Sequence, residues 1–448
     1  MSHLCAVESN AVVDHASIVR GVARAVLSLR KRLLLVAICC AVVGLHGAYQ
    51  WSQLHHASNL SYRGVARLID DPAKRFGGVQ VVVEIEGKRY LSLAHSVAGR
   101  RLARSEAGNA VMISGKRSPL SESLRFRYAS RHIVGTFAID TVEERIFPAS
   151  PLYRSANKLR AVTQRAANVM PQPVAALFMG LVIGDDRAQS RTMINSFRNS
   201  GLSHLTAVSG QNVAFVLAVF GTLINRARTW WRLGFTLFVL CWFVVLTRAE
   251  PSVLRAATMA GLSAVSFARG RELSARGALT FSVFILLAID PLLITSIGFW
   301  MSSLATLGLV FITPVLKQHL RGPTWCINPL ATTLGAQVGV LPISLLVFSS
   351  APAISLVTNL VAVPVAGAVM LIGLPMAWVC GLLMSLCGST VLPLCEIVMF
   401  PVQCATQWVW WVAVLGERVS LHGVANVMLW LLWACFLGAL HRSARMFA

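Results

Sequence analysis

From about residue 171 to the C-terminus the chain is a near-unbroken succession of apolar stretches, each close to the length of a bilayer-spanning helix. A helix needs about 20 predominantly apolar residues to cross the hydrocarbon core, and this half of the chain holds ten such stretches: 203–225, 231–247, 251–268, 277–295, 297–315, 329–349, 352–372, 374–390, 393–414 and 423–440. A further 16-residue stretch, Leu33 to Ala48, follows the basic run Arg20, Arg24, Arg30, Lys31 and Arg32. Of the 448 residues 56% are hydrophobic and only 13% charged, against roughly 25% charged in an ordinary soluble domain. These values exclude a soluble enzyme, a disordered scaffold and a disulfide-rich secreted module.

The expected fold is a polytopic α-helical membrane protein with about 10–11 transmembrane helices and a small extracytoplasmic β domain. Residues 1–32 read as a basic cytoplasmic N-terminus and 33–48 as the anchoring helix. Residues 50–150 change character. Val79-Gln80-Val81-Val82-Val83-Glu84-Ile85-Glu86 before Gly87-Lys88, and the segments 62–69, 89–95, 109–115, 123–129 and 132–139, read as short strands of a barrel or sandwich. The basic clusters Arg226/Arg228/Arg232, Arg269/Arg271/Arg276 and Lys317/Arg321 fall in alternate connections and set the orientation. That alternation leaves no net crossing for 156–200, which is expected to lie at the interface or re-enter. Residues 201–441 form the polytopic domain, with the C-terminus outside.

The formal net charge is +22. Such a balance suits anionic lipid or a polyanion, although cytoplasmic loops obeying the positive-inside rule account for much of it. Ten cysteines are scattered without a C-x-x-C pair, so neither a zinc ribbon nor a redox motif is indicated. The chain lacks G-x-x-x-x-G-K-[ST] and H-E-x-x-H, and His55-His56 stands isolated. The residues make no case for an enzyme, a cofactor or a metal; a conduit is the better class.

Polar residues interrupt several apolar stretches, and irregular backbone at membrane depth is tolerated only inside protein or beside a wet cavity. His204, Ser209, Gln211 and Asn212 fall in one stretch, with Asp185 and Arg198 just upstream. Arg248 and Glu250 precede Pro251, and Arg255 sits one turn into the next apolar helix, where an ionisable residue is a functional hypothesis. The bland readings are interhelical hydrogen bonding for the first group and a local Glu250–Arg255 ion pair for the second. Gln337, Asn359, Pro342 and Pro364 repeat the pattern more weakly.

Gly180-Leu181-Val182-Ile183-Gly184-Asp185 and Phe197-Arg198-Asn199-Ser200-Gly201-Leu202-Ser203-His204-Leu205-Thr206-Ala207-Val208-Ser209-Gly210 resemble the signature of the ComEC competence-channel family. Glu250 to Gly261, Asp290-Pro291 with Gly298 to Ser302, Leu341 to Ser344, and Asn359 to Pro364 follow in family order. The resemblance implies an external OB-like domain on a polytopic competence domain that passes single-stranded DNA into the cytoplasm. It also implies partners: a cytoplasmic helicase-like ATPase, an extracytoplasmic DNA receptor, a separate nuclease, and a second copy if the channel is a homodimer.

On this reading Asp185, Arg198, His204, Ser209, Gln211, Asn212, Arg248, Glu250 and Arg255 line the DNA path. Arg63, Arg67, Lys88, Arg89 and Arg125 bind DNA on the β domain, with Tyr62, Tyr90, Phe126 and Tyr128 as stacking platforms. Asn212 stands where many relatives carry a His, which removes a titrating group there. Larger relatives continue into a metallo-β-lactamase-like domain after the point where this sequence ends. A transporter of a small anionic solute and a non-transporting membrane scaffold are the alternative functions.

Overall fold

The computed structural model describes residues 39–55, 60–75, 77–206, 209–226, 228–320, 322–348 and 352–421, with isolated positions on either side. The basic N-terminus, the start of the 33–48 stretch, most of the 423–440 stretch and the C-terminal side lie outside the described residues. Helix α1 (39–53) leads into a β domain.

That domain contains β1 (Ser61–Leu68), β2 (Ala73–Arg75), β3 (Gly78–Ile85), β4 (Lys88–Ala94), β5 (Ala110–Pro119) and β6 (Ile133–Phe147). The sheet order is β1-β5-β6-β4-β3-β2, and an extra β1–β3 pairing closes five strands into a ring. All pairs are antiparallel except β4–β6. A five-stranded Greek-key ring of this kind is the OB-type barrel. Valines favour the pleated surface of β3, and Glu86 and Gly87, both at positive φ (52° and 76°), make the tight hairpin to β4. Helix α2 (Ser96–Leu102) links β4 to β5.

Residues 123–129, expected as a strand, are helical: α3 covers Glu122–Tyr128. Ser121 precedes it and Glu122 occupies its first turn, a helix-start signal, and no α3 residue is buried, so there was no inward face to make a strand alternate.

The helical body begins with α4 (Pro151–Ala167), α5 (Gln172–Ile183) and α6 (Arg191–Asn199). Helix α5 is wholly apolar from Val174 and lies at the centre of the main hydrophobic cluster, with Leu177 and Phe178 fully enclosed. Its 12 residues reach about 18 Å, too short to cross a bilayer. The short apolar piece of 156–200 is therefore sheathed in protein.

The stretch 203–225 is broken into α7 (Ser203–Thr206), α8 (Gly210–Val219) and α9 (Gly221–Arg226). Then come α10 (Thr229–Leu246), α11 (Pro251–Ala268), α12 (Ala275–Ile289), α13 (Ile297–His319), α14 (Thr324–Phe348), α15 (Ser355–Ala368), α16 (Leu374–Cys387) and α17 (Leu392–Val419), with a π-helical turn, Val369–Gly373, joining α15 to α16. Among the described residues four helical runs are long and apolar enough to cross a membrane: Thr229–Leu246, Ile297–His319, Cys326–Phe348 and the continuous Ser355–Val419, which holds α15 to α17.

The other expected spans are shorter or more polar. Helix α12 stops at Ile289 because Asp290 caps a separate turn, Pro291–Thr295, and α11 carries Arg255 with four hydroxyl side chains. Large apolar side chains face outward, Leu346 being 83% and Leu386 82% exposed. A surface of that kind is stable against lipid and not against water. The chain is a membrane protein with a β domain.

Candidate functional site: a buried ion cluster and a broken helix

Two glycines at positive φ end α5 and α6, and the first of them sets the first locus. Gly184 (φ 77°) ends α5, its N–H donating to the Gly180 carbonyl while Asp185 N–H reaches back to Met179. This αL termination sets Asp185 on the face of the helical body that meets the barrel. Gly201 (φ 77°) ends α6 in the same manner, with Leu202 N–H donating to the Phe197 carbonyl. A β-carbon on Gly201 would come within 2.3 Å of the Ser355 side chain. The two motifs therefore encode two sharp helix ends.

Asp185 is 8% exposed and accepts from three directions. Arg160 Nη2 lies 2.8 Å from its Oδ2, and Arg187 grips both oxygens at 2.6 and 2.7 Å. Arg160 also lies 3.2 Å from Asp71 of the β1–β2 connection and donates to the Leu246 carbonyl at 3.0 Å. Arg248 clamps Asp71 through Nε (3.0 Å) and Nη2 (2.8 Å), and Nη2 reaches Asn157 as well. Asn157 in turn donates to the Ala107 carbonyl of the barrel.

Arg248 and Ala249 both sit at positive φ (59° and 56°), a turn that costs about 1–3 kcal/mol per residue and is held by the Asp71 clamp. Burial alone would raise the Asp71 carboxyl, but Arg160 and Arg248 outweigh it and hold it well below the ordinary carboxylate range. For Asp185 burial pushes up and is likewise outweighed, by the Arg187 hydrogen bonds and Arg160. His132 adds a second tie, 2.9 Å from Asp290, and Leu292 packs into the barrel core. The cluster locks barrel to helical body.

The second locus is the break before α8. Ser209 donates to Asn212 Oδ1 at 3.0 Å, and Asn212 donates to the Leu181 carbonyl at 3.1 Å, tying the break to α5. Gln211 is exposed into a cleft of about 490 Å³ between α8, α14 and α15, lined also by Asn328, Thr332, Thr333 and Asn359. The side-chain Oδ1 of Asn359 is buried without a partner among the described residues. Arg255 is 5% exposed and donates to Ser302 Oγ (2.9 Å) and Met259 Sδ (3.1 Å). The local ion pair with Glu250 does not form: Glu250 is the exposed N-cap of α11 and feels the charge of Arg131 instead.

The residues expected to line one path are thus divided. Asp185 and Arg248 belong to the ion cluster; Ser209, Gln211, Asn212 and Arg255 belong to the broken helix. Arg198 is exposed on α6 and His204 on α7, with Gly201 as a backbone neighbour of the His204 ring. Sequence reasoning missed Arg160, Asp71 and Asn157. The legible signal was Arg160, a charge on the inward face of α4 between Ala156 and Thr163; its partner Asp71 is a barrel residue that no local pattern connects to it.

On the barrel, Arg63, Arg67 and Arg89 share the outer face, with Glu84 the cross-strand neighbour of both Arg67 and Arg89. Arg63 pairs with Glu143 at 3.2 Å, and Arg89 donates to the Arg131 carbonyl at 3.3 Å. Lys88 lies at the hairpin, and Arg125 on α3 turns back to the Leu120 carbonyl, so these two are not in that row. Two expected stacking platforms point inward: Tyr90 is 1% exposed and Tyr62 half-buried, and both rings flank Arg117, whose guanidinium carbon lies 5.5 and 4.6 Å from their centroids. Alternation along β4 put Tyr90 on the core face. Phe126 is exposed beside Trp51, and Tyr128 packs against the Val82, Leu120 and Ile133 cluster.

Known proteins resemble the helical part. The chain is 27% identical over 237 residues to "ComE operon protein 3" of Bacillus subtilis (strain 168), covering 52% of this chain and 30% of that protein. It is 25% identical over 215 residues to "Uncharacterized protein YcaI" of Escherichia coli (strain K12), covering 44% of this chain and 28% of that one. The aligned stretch thus spans less than a third of either relative. No solved structure matches. The family model described as "Competence protein" matches residues 181–443, more than half of the chain, from the end of α5 through the broken helix and the Asp185, Arg187 and Arg248 part of the ion cluster, leaving the barrel and α4 outside. The chain belongs to the Competence protein family.

Proposed function

We propose that this chain is a multi-pass protein of the cytoplasmic membrane that conducts single-stranded DNA inward during natural competence. The observation that carries the proposal is the cleft beside the broken helix. Amide and hydroxyl side chains of Gln211, Asn328, Thr332, Thr333 and Asn359 line one part of a cleft whose remaining wall, Phe215, Val363, Leu371 and Ile372 included, is apolar, between helices whose outer faces are apolar too. Family membership and the likeness to ComE operon protein 3 support the process. The OB-type barrel, with Arg63, Arg67 and Arg89 on one outer face, supports the substrate, because basic grooves on such barrels track single strands.

The chain is read as a conduit that performs no catalytic step. Its driving force comes from a partner, a cytoplasmic helicase-like ATPase, while an extracytoplasmic receptor delivers the strand and a separate nuclease removes the complement. The test is uptake of labelled single-stranded DNA in cells carrying the wild type, a deletion, or the double change Gln211→Leu/Asn359→Leu, at matched protein abundance. Loss of internalised DNA with surface binding retained is the expected result. Unchanged uptake in the deletion strain overturns the reading and brings a small-anion transporter forward.

A further inference from the structure

A guanidinium buried in a helix bundle ordinarily meets a carboxylate, because an unpaired buried charge is costly. Arg160 and Arg248 obey this rule; Arg255 does not. Its hydrogen-bond partners are a hydroxyl and a thioether, and among the described residues no acidic side chain pairs with it. The remaining nitrogen, Nη2, points at the start of α8: a β-carbon on Gly210 would lie 3.1 Å from it. Helix α8 has 10 residues, and its N-cap Ser209 does not cap the backbone, since its hydroxyl is spent on Asn212. Asn212 N–H turns back to the Ser209 carbonyl at 3.1 Å, and the N–H groups of Gly210 and Gln211 have no partner among the described residues at the positive end of the helix dipole.

From this convergence we infer that Arg255 Nη2 and the N-terminus of α8, over the bare Cα of Gly210, form an anion site that holds one phosphodiester group at a time. The inference rests on the conduit reading above and names the point at which the strand is gripped. A β-carbon on Gly210 would lie 3.1 Å from both Arg255 Nη2 and the Ala256 β-carbon, so the glycine leaves room beside the guanidinium that a side chain would fill. Ser302 and Met259 hold the guanidinium from behind without neutralising it, so the site attracts phosphate, and among the described residues no second cation stands beside Arg255 to trap it. A phosphodiester could also come from a lipid headgroup, and the test separates the two sources.

The full chain with Ser209→Cys, in maltoside micelles, is treated in parallel with an anionic and a cationic methanethiosulfonate reagent, and modification at that position is quantified by peptide mass spectrometry. One uncompensated charge within a few ångströms predicts that the anionic reagent reacts at least about tenfold faster. Arg255→Gln brings the ratio close to one, while Arg255→Lys keeps most of it. An oligothymidylate protects the cysteine, and Gly210→Ala abolishes that protection while the charge remains. If Arg255→Gln does not fold, the Lys and Ala variants carry the decision.

A ratio near one with Arg255 intact overturns the site, as does protection by phosphatidylglycerol or inorganic phosphate when oligothymidylate gives none. None of these readouts depends on transport. The anion site can therefore fail while DNA uptake holds, or stand while the uptake experiment refutes the conduit.

Discussion

At the scale of single residues, burial separates the arginines by role. Arg160 and Arg248 are enclosed beside Asp71 and Asp185, and their geometry is bidentate or shared. Removing one member of such a pair strands the other charge, which costs about 3–5 kcal/mol. Asp71→Asn is therefore expected to lower the thermal unfolding midpoint markedly in detergent, and Arg63→Gln to leave it unchanged, because the Arg63–Glu143 pair is solvated on both sides. The cluster also sets a pH dependence. Both aspartates titrate below their unfolded value near 3.9, so between the two values the unfolded chain binds more protons than the folded one. Their stabilisation is complete at neutral pH and is lost as pH falls below about 4. Limited proteolysis of the barrel–helix junction should accelerate over that interval, and Asp71→Asn should flatten the profile.

At the scale of elements, helix contacts depend on how closely backbones approach. Helices α13 and α14 cross through glycines: a β-carbon on Gly308 would meet the Gly335 carbonyl at 2.0 Å, and one on Gly339 the Leu304 carbonyl at 2.2 Å. Small residues permit this approach in a membrane, where lipid supplies no hydrophobic drive between helices. Gly308→Ala cannot be accommodated by a rotamer change because the obstacle is backbone. A loss of about 1–3 kcal/mol is expected, read as a lower midpoint in detergent. Gly234→Ala in α10 is the contrasting case: nothing lies within 4 Å of the added carbon, and relief of glycine entropy in a helix should stabilise by about 0.5–1 kcal/mol.

At the scale of the whole molecule, the barrel is fixed to the helical body by Asp71, His132 and Leu292, so under the proposed function a strand held on its outer face would meet the helices at a set position. The basic row should reveal itself in counterion release. Each phosphate neutralised on a single strand adds about 0.7 to the slope of log K against log salt. For the full chain, Arg67→Gln with Arg89→Gln should reduce that slope by about 1.4 when oligothymidylate binding is titrated against salt. An unchanged slope removes this face from the DNA path.

Patterns one element long were legible without a structure. The apolar lengths around α10, α13, α15 and α17, the strand alternation in β1, β3, β4 and β6, and the break near Ser209 each follow from residue order alone, because burial repeats at the period of the local backbone. The helix over Glu122–Tyr128 was missed because an element with no buried face leaves no period to read. Contacts between distant segments required the tertiary structure. Asp71 and Arg248 are separated by 177 positions, and nothing in either neighbourhood says that a barrel loop and a helix turn will meet. Likewise, the sequence determined that Arg255 lies in an apolar helix. Whether its charge would be answered by Glu250, by lipid headgroups or by nothing depended on which groups the packing of α8, α11 and α13 brought within a few ångströms, and only the fold decides that.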